Sequence, residues 1–229
     1  MRSAVAVIPA RGGSKGIPKK NLQTVDCLSL VYRAAAACAR AERLERVFVY
    51  SDSPEILQEA ERAGAKAVER PAEISGDRVT SEDTVLRFLK DHDMGAADVM
   101  LVQATSPFLR PAVVDQAIYT LHSRYEDLDS VVSVFALPFY LGFLSPAGRR
   151  GAGRVWRPLN PERWRRQDFE TGLYAESGAL YLSKQSVWLG GRRMGDRCGI
   201  VAMGRWESVE IDEPEDLEVA RALAPVVQK

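Results

Sequence analysis

The sequence predicts an α/β fold in which a mostly parallel sheet is covered by helices on both faces. Strand-like apolar runs alternate with helical periods from the first residues, and 46% of the 229 residues are hydrophobic, enough for a substantial core. A glycine-rich turn follows the first strand directly, as in sheets that bind ligands at their carboxyl edge. Ala4-Val5-Ala6-Val7-Ile8 is an unbroken apolar run suited to burial on both faces, and Pro9 ends its pairing.

A helix is expected over Ser29 to Ala41, where Leu30, Val31, Ala34 and Cys38 share one face. Val47 to Tyr50 is the second strand, and Asp52 or Ser53 can cap a helix that opens at Pro54. A short strand is expected near Ala65 to Val68. Thr80 or Ser81 starts a helix carrying Val85, Leu86 and Leu89, and Asp98 to Val102 forms the next strand. A helix from Ala112 to about Ser123 and a β-branched strand at Ser130 to Phe135 follow. Pro138 to Gly172 then loses the rhythm, with Gly148, Gly151 and Gly153, Arg149, Arg150 and Arg154, and Trp156 and Trp164 at no regular period. So long an aperiodic stretch reads as a functional excursion or an interface arm. Strands near Ala179 to Leu182 and Gly199 to Met203 and a helix from Pro214 to about Ala224 complete the chain.

Lys plus Arg and Asp plus Glu each number 31, so the net charge is zero. Neutrality argues against bulk attraction to nucleic acid or membrane, and any anionic partner must be held locally. No run approaches the ~20 apolar residues of a membrane-crossing helix. The apolar start runs into the glycine turn instead of a cleavage site. Cys27, Cys38 and Cys198 lack pairing or metal-type spacing. The reading is a soluble, cytoplasmic protein with reduced thiols in structural roles and no nucleic-acid or membrane partner.

The segment Ile8 to Asn21, IPARGGSKGIPKKN, carries the strongest chemical signal. Arg11, Gly12, Gly13, Ser14, Lys15 and Gly16 lie just past a buried strand, where glycines let backbone N–H groups approach phosphates and a hydroxyl can donate. Arg11, Lys15, Lys19 and Lys20 add positive charge suited to a triphosphate. The spacing is neither the Walker loop nor the dinucleotide fingerprint. A solvated basic turn would share this composition, but the position between strand and helix favours a ligand. Gln103 to Pro107 reach the same edge from the strand at Asp98 to Val102. Arg165 and Arg166 offer forked donors for a carboxylate, and at least one is expected to face a pocket. Arg70 read alone is a solvated surface turn, and Asp52 read alone is a helix cap.

The densest acidic cluster spans Glu210 to Asp216. Glu213, Glu215 and Asp216 suit a helix start. Glu210 and Asp212 alternate with Val209 and Ile211, which places both carboxylates on one face of an expected strand end. Two carboxylates beside a triphosphate suit Mg²⁺, which keeps waters and takes phosphate oxygens.

Seven motifs in order, IPARGGSKGIPKKN (8–21), SDSPEI (51–56), RPAEIS (70–75), LVQATSP (101–107), RRQDF (165–169), YAESGALY (174–181) and EIDEPEDL (210–217), resemble the CMP-sialic acid synthetases. These acylneuraminate cytidylyltransferases are sugar-activating nucleotidyltransferases. The resemblance implies a three-layer α/β/α Rossmann-like nucleotidyltransferase fold in a single domain, with a protruding dimerisation arm at about 137–173 and a homodimer. It implies transfer of CMP from CTP to the anomeric C2 hydroxyl of a 2-keto-3-deoxy acid sugar, with Mg²⁺ as cofactor and pyrophosphate released. By the same resemblance, Arg11, Gly12, Gly13, Ser14, Lys15, Lys20 and Asn21 hold the CTP phosphates and ribose. Arg70, Thr80 and Ser81 sit at cytosine and ribose, and Gln103, Thr105, Ser106, Arg165 and Arg166 form the acid-sugar pocket. Catalysis falls to Arg11, Lys15, Lys20 and Asp212, and the metal to Asp212 and Glu210.

Three departures mark this chain. LPFYLGF at Leu137 to Phe143 has no cation where the family commonly has one, DCLSL at Asp26 to Leu30 replaces a Gly-Lys-Pro-Leu turn, and Glu210 stands where Asp is usual. The role of Glu210 is then direct, through water, or lost. The acceptor is accordingly an N-acylneuraminate, a related nine-carbon acid, an eight-carbon keto acid or a phosphonate. A catalytically impaired nucleotide-binding homologue is the reading from another class.

Overall fold

The first strand, β1 (Ala4–Pro9), runs through the middle of the sheet, and Ala4 to Ile8 are fully buried because both faces of the strand are covered. The computed structural model describes residues 2–14, 16–76, 78–137, 141–146, 154–158 and 173–227, with 142–146 and 154–157 described as backbone. The chain folds as two compact units, one of Met1–Phe135 with Glu176–Lys229 and one of Ala136–Ala175.

The larger unit is built on a seven-stranded sheet. Besides β1 and the two-residue strands β2 (Thr24–Val25) and β3 (Leu28–Ser29), it uses β4 (Arg46–Ser51), β5 (Lys66–Glu69), β6 (Asp98–Val102) and β7 (Ser130–Ala136). The smaller unit holds β8 (Gly142–Pro146) and β9 (Arg154–Pro158), and β10 (Tyr174–Ser183) and β11 (Cys198–Ala202) return to the sheet. The order is β11-β7-β10-β6-β1-β4-β5. β1 lies parallel to β4 and β6, β4 to β5 and β7 to β11, while β10 runs antiparallel to β6. The sheet is mostly parallel, as the alternating pattern predicts.

Successive side chains of β1 enter different cores because a strand alternates its faces. Ala4, Ala6 and Ile8 pack with Val31, Ala34 and Cys38 of α1 (Leu30–Ala39), Ile56 and Ala60 of α2 (Pro54–Arg62), and Val114, Ala117 and Ile118 of α4 (Pro111–Ser123). Val5 and Val7 pack with Val85 and Phe88 of α3 (Ser81–Asp91) and Trp188 of α5 (Gln185–Leu189). The result is three layers, helix on sheet on helix. A third cluster joins Leu217, Ala220 and Ala224 of α6 (Pro214–Val227) to Ile17, Val25, Leu30, Phe108 and Ile211. This packing draws the carboxyl-terminal segment against the glycine loop. None of the described helices is long and apolar enough to cross a membrane.

Local chemistry accounts for the helix starts. Ser29 is the N-cap of α1 and accepts from the Tyr32 N–H at 3.2 Å, so the expected start at Ser29 is the cap itself. Thr80 and Asp83 form a reciprocal capping box at α3. Pro111 occupies the first turn of α4, one residue before the expected start, because its missing N–H has no helical partner there anyway. Cys38 is buried, and burial pushes its thiol up to about 12, which suits a packing role.

Two elements escape the periodicity. β2 and β3 form a hairpin whose turn residues, Asp26 and Cys27, both have positive φ, 50° and 62°, the geometry of a two-residue primed turn. α5 is only one turn long and is held by the Trp188 indole N–H donating to the Val99 carbonyl at 2.9 Å. Inside the stretch read as aperiodic, β8 and β9 pair antiparallel, with Leu144 opposite Trp156. The expected strand end at Val209 to Asp212 lies outside the sheet. It is irregular chain tied to the Gln103–Pro107 turn by the Ile211 N–H, which donates to the Thr105 carbonyl at 2.9 Å.

Candidate functional site

Because β1, β4 and β6 are parallel neighbours, the loops that follow them open at the same edge of the sheet. A pocket of about 350 Å³ lies there. It brings together Arg11, Ser14, Lys20 and Asn21 from the glycine loop, Arg70, Thr80 and Ser81, and Gln103 with Thr105. Gly12 and Gly13 are not among the lining residues, and Ser106 is buried beside them with a hydroxyl lacking a partner among the described residues. Lys15, Arg165 and Arg166 lie outside the described residues.

Three carboxylates from two other segments hold the glycine loop. The Gly12 N–H donates to Asp52 Oδ1 at 2.8 Å, and a Cβ on Gly12 would sit 3.0 Å from the Ser53 Cβ. Glycine is needed here for close approach to the turn after β4. The Lys19 backbone is left-handed at φ 50°, and its Nζ donates to both oxygens of Glu55 at 2.8 and 3.0 Å. Lys20 Nζ donates to the Ile211 carbonyl and to Asp212 Oδ1, each at 3.0 Å. Asn21 is buried and donates through Nδ2 to the Arg11 carbonyl at 2.9 Å, closing the loop on itself.

Asp52 is the residue that sequence reading places least well. Ser53, not Asp52, occupies the N-cap position of α2, and its side chain makes no capping bond. The Asp52 carboxylate instead crosses to the loop after β1. The β1–β4 register, with Pro9 opposite Tyr50, brings residues just past each strand side by side, a signal readable once that pairing is assumed.

Arg70 is 6% exposed, which replaces the solvated-turn reading. Its Nη2 donates to the Ile74 carbonyl, while Nε is buried without a partner among the described residues. Burial lowers its pKa, Asp52 and Tyr50 oppose that shift, and Arg11 reinforces it. A buried guanidinium with an unspent donor at a pocket wall is suited to an anionic or carbonyl-bearing ligand. Thr80 contributes backbone more than hydroxyl, since Oγ1 already accepts from the Asp83 N–H at 3.0 Å and donates to its carboxylate at 2.7 Å.

The acidic segment divides as its neighbours dictate. Asp216 Oδ2 accepts the N–H groups of Asp212 at 3.0 Å and Glu213 at 2.8 Å, which lowers its pKa and gives it the helix-start role. Asp212 is exposed and meets Lys20. Glu210 turns inward, where Oε1 accepts from Gln103 Nε2 at 2.7 Å and from the Thr105 hydroxyl at 3.4 Å. Among the described residues no group of three or more His, Cys, Asp or Glu could enclose a metal. An exposed carboxylate beside a basic loop fits a hard cation that arrives with phosphate oxygens and waters, as Mg²⁺ does.

Asp52→Ala removes the loop's acceptor and is expected to cost about 1 kcal/mol of stability. Asp52→Asn, whose amide oxygen can accept the same N–H, is expected to recover most of it. Urea unfolding of the pair checks this, and equal losses in both would count against the contact.

Burial raises the Glu210 carboxyl above its ordinary range, and the nearby charge of Asp212 raises it further. A carboxyl raised by folding contributes stability that is complete below its unfolded pKa and lost as pH climbs through the folded value. Glu210→Gln, neutral at every pH, is therefore expected to melt above the parent at pH 7 without divalent cation. The gain should shrink as pH falls below about 4.3, where the parent is protonated in both states. Paired melts at the two pH values decide the matter, since a gain independent of pH would contradict it.

Residues 5–139 match the model of the cytidylyltransferase family. The chain is 33% identical over 223 residues to N-acylneuraminate cytidylyltransferase A of Danio rerio, covering 96% of this chain and 50% of that protein. It is 27% identical over 215 residues to N-acylneuraminate cytidylyltransferase of Streptococcus agalactiae, covering 93% and 51%. The chain thus spans about half the length of the curated relatives it matches. Among solved structures, CMP:2-keto-3-deoxy-manno-octonic acid synthetase complexed with CTP superposes with a TM-score of 0.70 at 18% identity, covering 97% of this chain and 98% of that one. The 4-diphosphocytidyl-2C-methyl-D-erythritol synthase of Anaerococcus prevotii superposes at 0.68 and 13% identity, covering 98% and 96%. These two share the fold. With the family model matching more than half of its length, the chain belongs to the cytidylyltransferase family.

Proposed function

We propose that the protein is a CTP-dependent nucleotidyltransferase that joins CMP to the anomeric C2 hydroxyl of an N-acylneuraminate or related 2-keto-3-deoxy acid sugar, releasing pyrophosphate. The observation that carries this reading is the single pocket shared by the glycine loop, the Arg70 and Thr80–Ser81 wall and the Gln103–Thr105 turn. The names of the relatives support an acylneuraminate as acceptor.

In this reading Arg11, Ser14, Lys15 and Lys20 bind the phosphates, Gly12 and Gly13 let the loop's backbone approach them, and Asn21 keeps the loop closed. Arg70, Thr80 and Ser81 face base and ribose. Gln103, Thr105 and Ser106, with Arg165 and Arg166, take the acid sugar, and the forked guanidinium groups suit its carboxylate. The C2 hydroxyl gives up its proton to a carboxylate or to water as its oxygen attacks the α-phosphorus, the bond to the bridging oxygen breaks, and pyrophosphate leaves toward Arg11, Lys15 and Lys20, which stabilise its charge. Positioning of the two substrates in one pocket supplies much of the acceleration.

Lys20 must exchange Asp212 for phosphate, and the same exchange frees the Asp212 carboxylate. Asp212 would then hold Mg²⁺, which when bound neutralises charge on the attacked phosphate. Glu210 lies near Asp212, with its Oε1 already engaged by Gln103 and Thr105. The cation-free LPFYLGF stretch favours, as a second reading, another acid acceptor such as an eight-carbon keto acid or a phosphonate. The free thiols Cys27 and Cys198 are exposed, which suits the reducing cytoplasm.

Incubation with CTP, Mg²⁺ and a panel of acid sugars is expected to release pyrophosphate with an acylneuraminate, and Asp212→Ala to slow that release roughly 100-fold or more. CTP binding without turnover on any acceptor would reject the reading in favour of an impaired homologue. An unchanged Mg²⁺-dependent rate in Asp212→Ala would reject the carboxylate assignment. The aromatic content of the excursion, with Phe139, Tyr140, Phe143, Trp156 and Trp164, supports a homodimer paired through that arm. Sedimentation at micromolar concentration is expected to give twice the mass of one chain, and a single-chain mass would reject pairing.

A further inference from the structure

We infer that Glu210 is a positioning residue for the acceptor side of the site, holding Gln103, and that it is not a ligand of the catalytic cation. The inference rests on the nucleotidyltransferase reading above and deepens it.

The geometry separates the two carboxylates. Asp212 is exposed and directed at Lys20, whereas Glu210 is half-buried and directed at the turn after β6. Its Oε1 accepts from Gln103 Nε2 at 2.7 Å and lies 3.4 Å from the Thr105 hydroxyl. A carboxylate only accepts, so the amide nitrogen of Gln103 must face it and the amide oxygen is left as the polar end for a ligand. Gln103 is fixed from the other side as well, since its backbone N–H donates to the Ala179 carbonyl at 3.1 Å.

The space that admits the longer side chain is made by Gly178. Its φ is +74°, and a Cβ there would stand 2.6 Å from Glu210 Oε2 and 2.9 Å from Oε1. Gly178 is held in place because the preceding Ser177 is buried and donates to the Ser133 hydroxyl at 2.7 Å. Glu210 therefore occupies a recess shaped by glycine, with Oε1 committed to Gln103 and Thr105. Aspartate at this position lacks the methylene that carries the carboxylate to Gln103.

Two substitutions separate positioning from metal ligation because the two roles rank them oppositely. Glu210→Gln keeps the length and an acceptor oxygen but loses the charge. Glu210→Asp keeps the charge but loses the reach. If Glu210 positions Gln103, Glu210→Asp raises the acid-sugar KM at least 10-fold with the CTP KM little moved, Glu210→Gln stays within about threefold, and half-saturating Mg²⁺ is alike in all three proteins. If Glu210 binds the cation, Glu210→Gln raises the Mg²⁺ requirement and Glu210→Asp does not, and the inference is overturned. Equal, small effects in both variants overturn it too.

The side-chain amide resonances of Gln103 provide a readout that needs no substrate. They are expected to shift in Glu210→Asp, and resonances unchanged from the parent would show that the contact is not made. Failure of the parent to turn over any acceptor would instead reject the functional reading, and the amide resonances would still judge the contact.

Discussion

The structure depends on the complete burial of β1 between two parallel neighbours. Ala4 to Ile8 are fully buried, so no water is available to their peptide groups and each must pair along β4 or β6. Burial on both faces also demands helices above and below, which the alternation of Ala4, Ala6 and Ile8 with Val5 and Val7 distributes between two cores. The small alanine side chains on one face let α1, itself rich in alanine, lie close to the sheet. Once this strand is set, the turns after β1, β4 and β6 are obliged to share one edge, and the pocket follows from that edge.

The loop at this edge has strong positive character and would be poorly defined if its donors faced only water. Carboxylates from the rest of the chain define it. Asp52 takes the Gly12 amide, Glu55 takes Lys19, and Asp212 takes Lys20. The Lys19–Glu55 pair is largely exposed and contributes little to stability by itself. Lys20 is much less exposed than Asp212, so its ion pair lies against the protein on one side and is open to solvent on the other. In the proposed reaction, that asymmetry would let an incoming phosphate displace Asp212 without dismantling the loop.

The parts of this arrangement legible in the sequence are those governed by local pattern. Apolar runs and turn residues announced the strands, Ser29 and Thr80 announced helix starts, and the glycine-lysine loop announced a pocket at a sheet edge. Elements without a period were not legible. The β2–β3 hairpin turns on Asp26 and Cys27, neither of them glycine, in left-handed conformations, and α5 is a single turn held by the buried indole of Trp188. The alternation at Val209 to Asp212 resembled a strand, yet the segment pairs only locally with the Gln103–Pro107 turn, because its neighbours are a loop and α6 instead of a sheet edge.

By itself, the sequence determined the layered α/β fold, the position of the phosphate-type loop and the kinship with cytidylyltransferases, because periodicity, turn chemistry and ordered motifs are properties of neighbouring residues. The tertiary structure alone decided which way Asp52, Arg70 and Glu210 turn. Asp52 anchors a loop 40 residues away, Arg70 leaves solvent for the pocket wall, and Glu210 reaches Gln103 across 107 residues of chain. Such pairings arise when strand order brings distant turns together, and a one-dimensional pattern carries no record of that order.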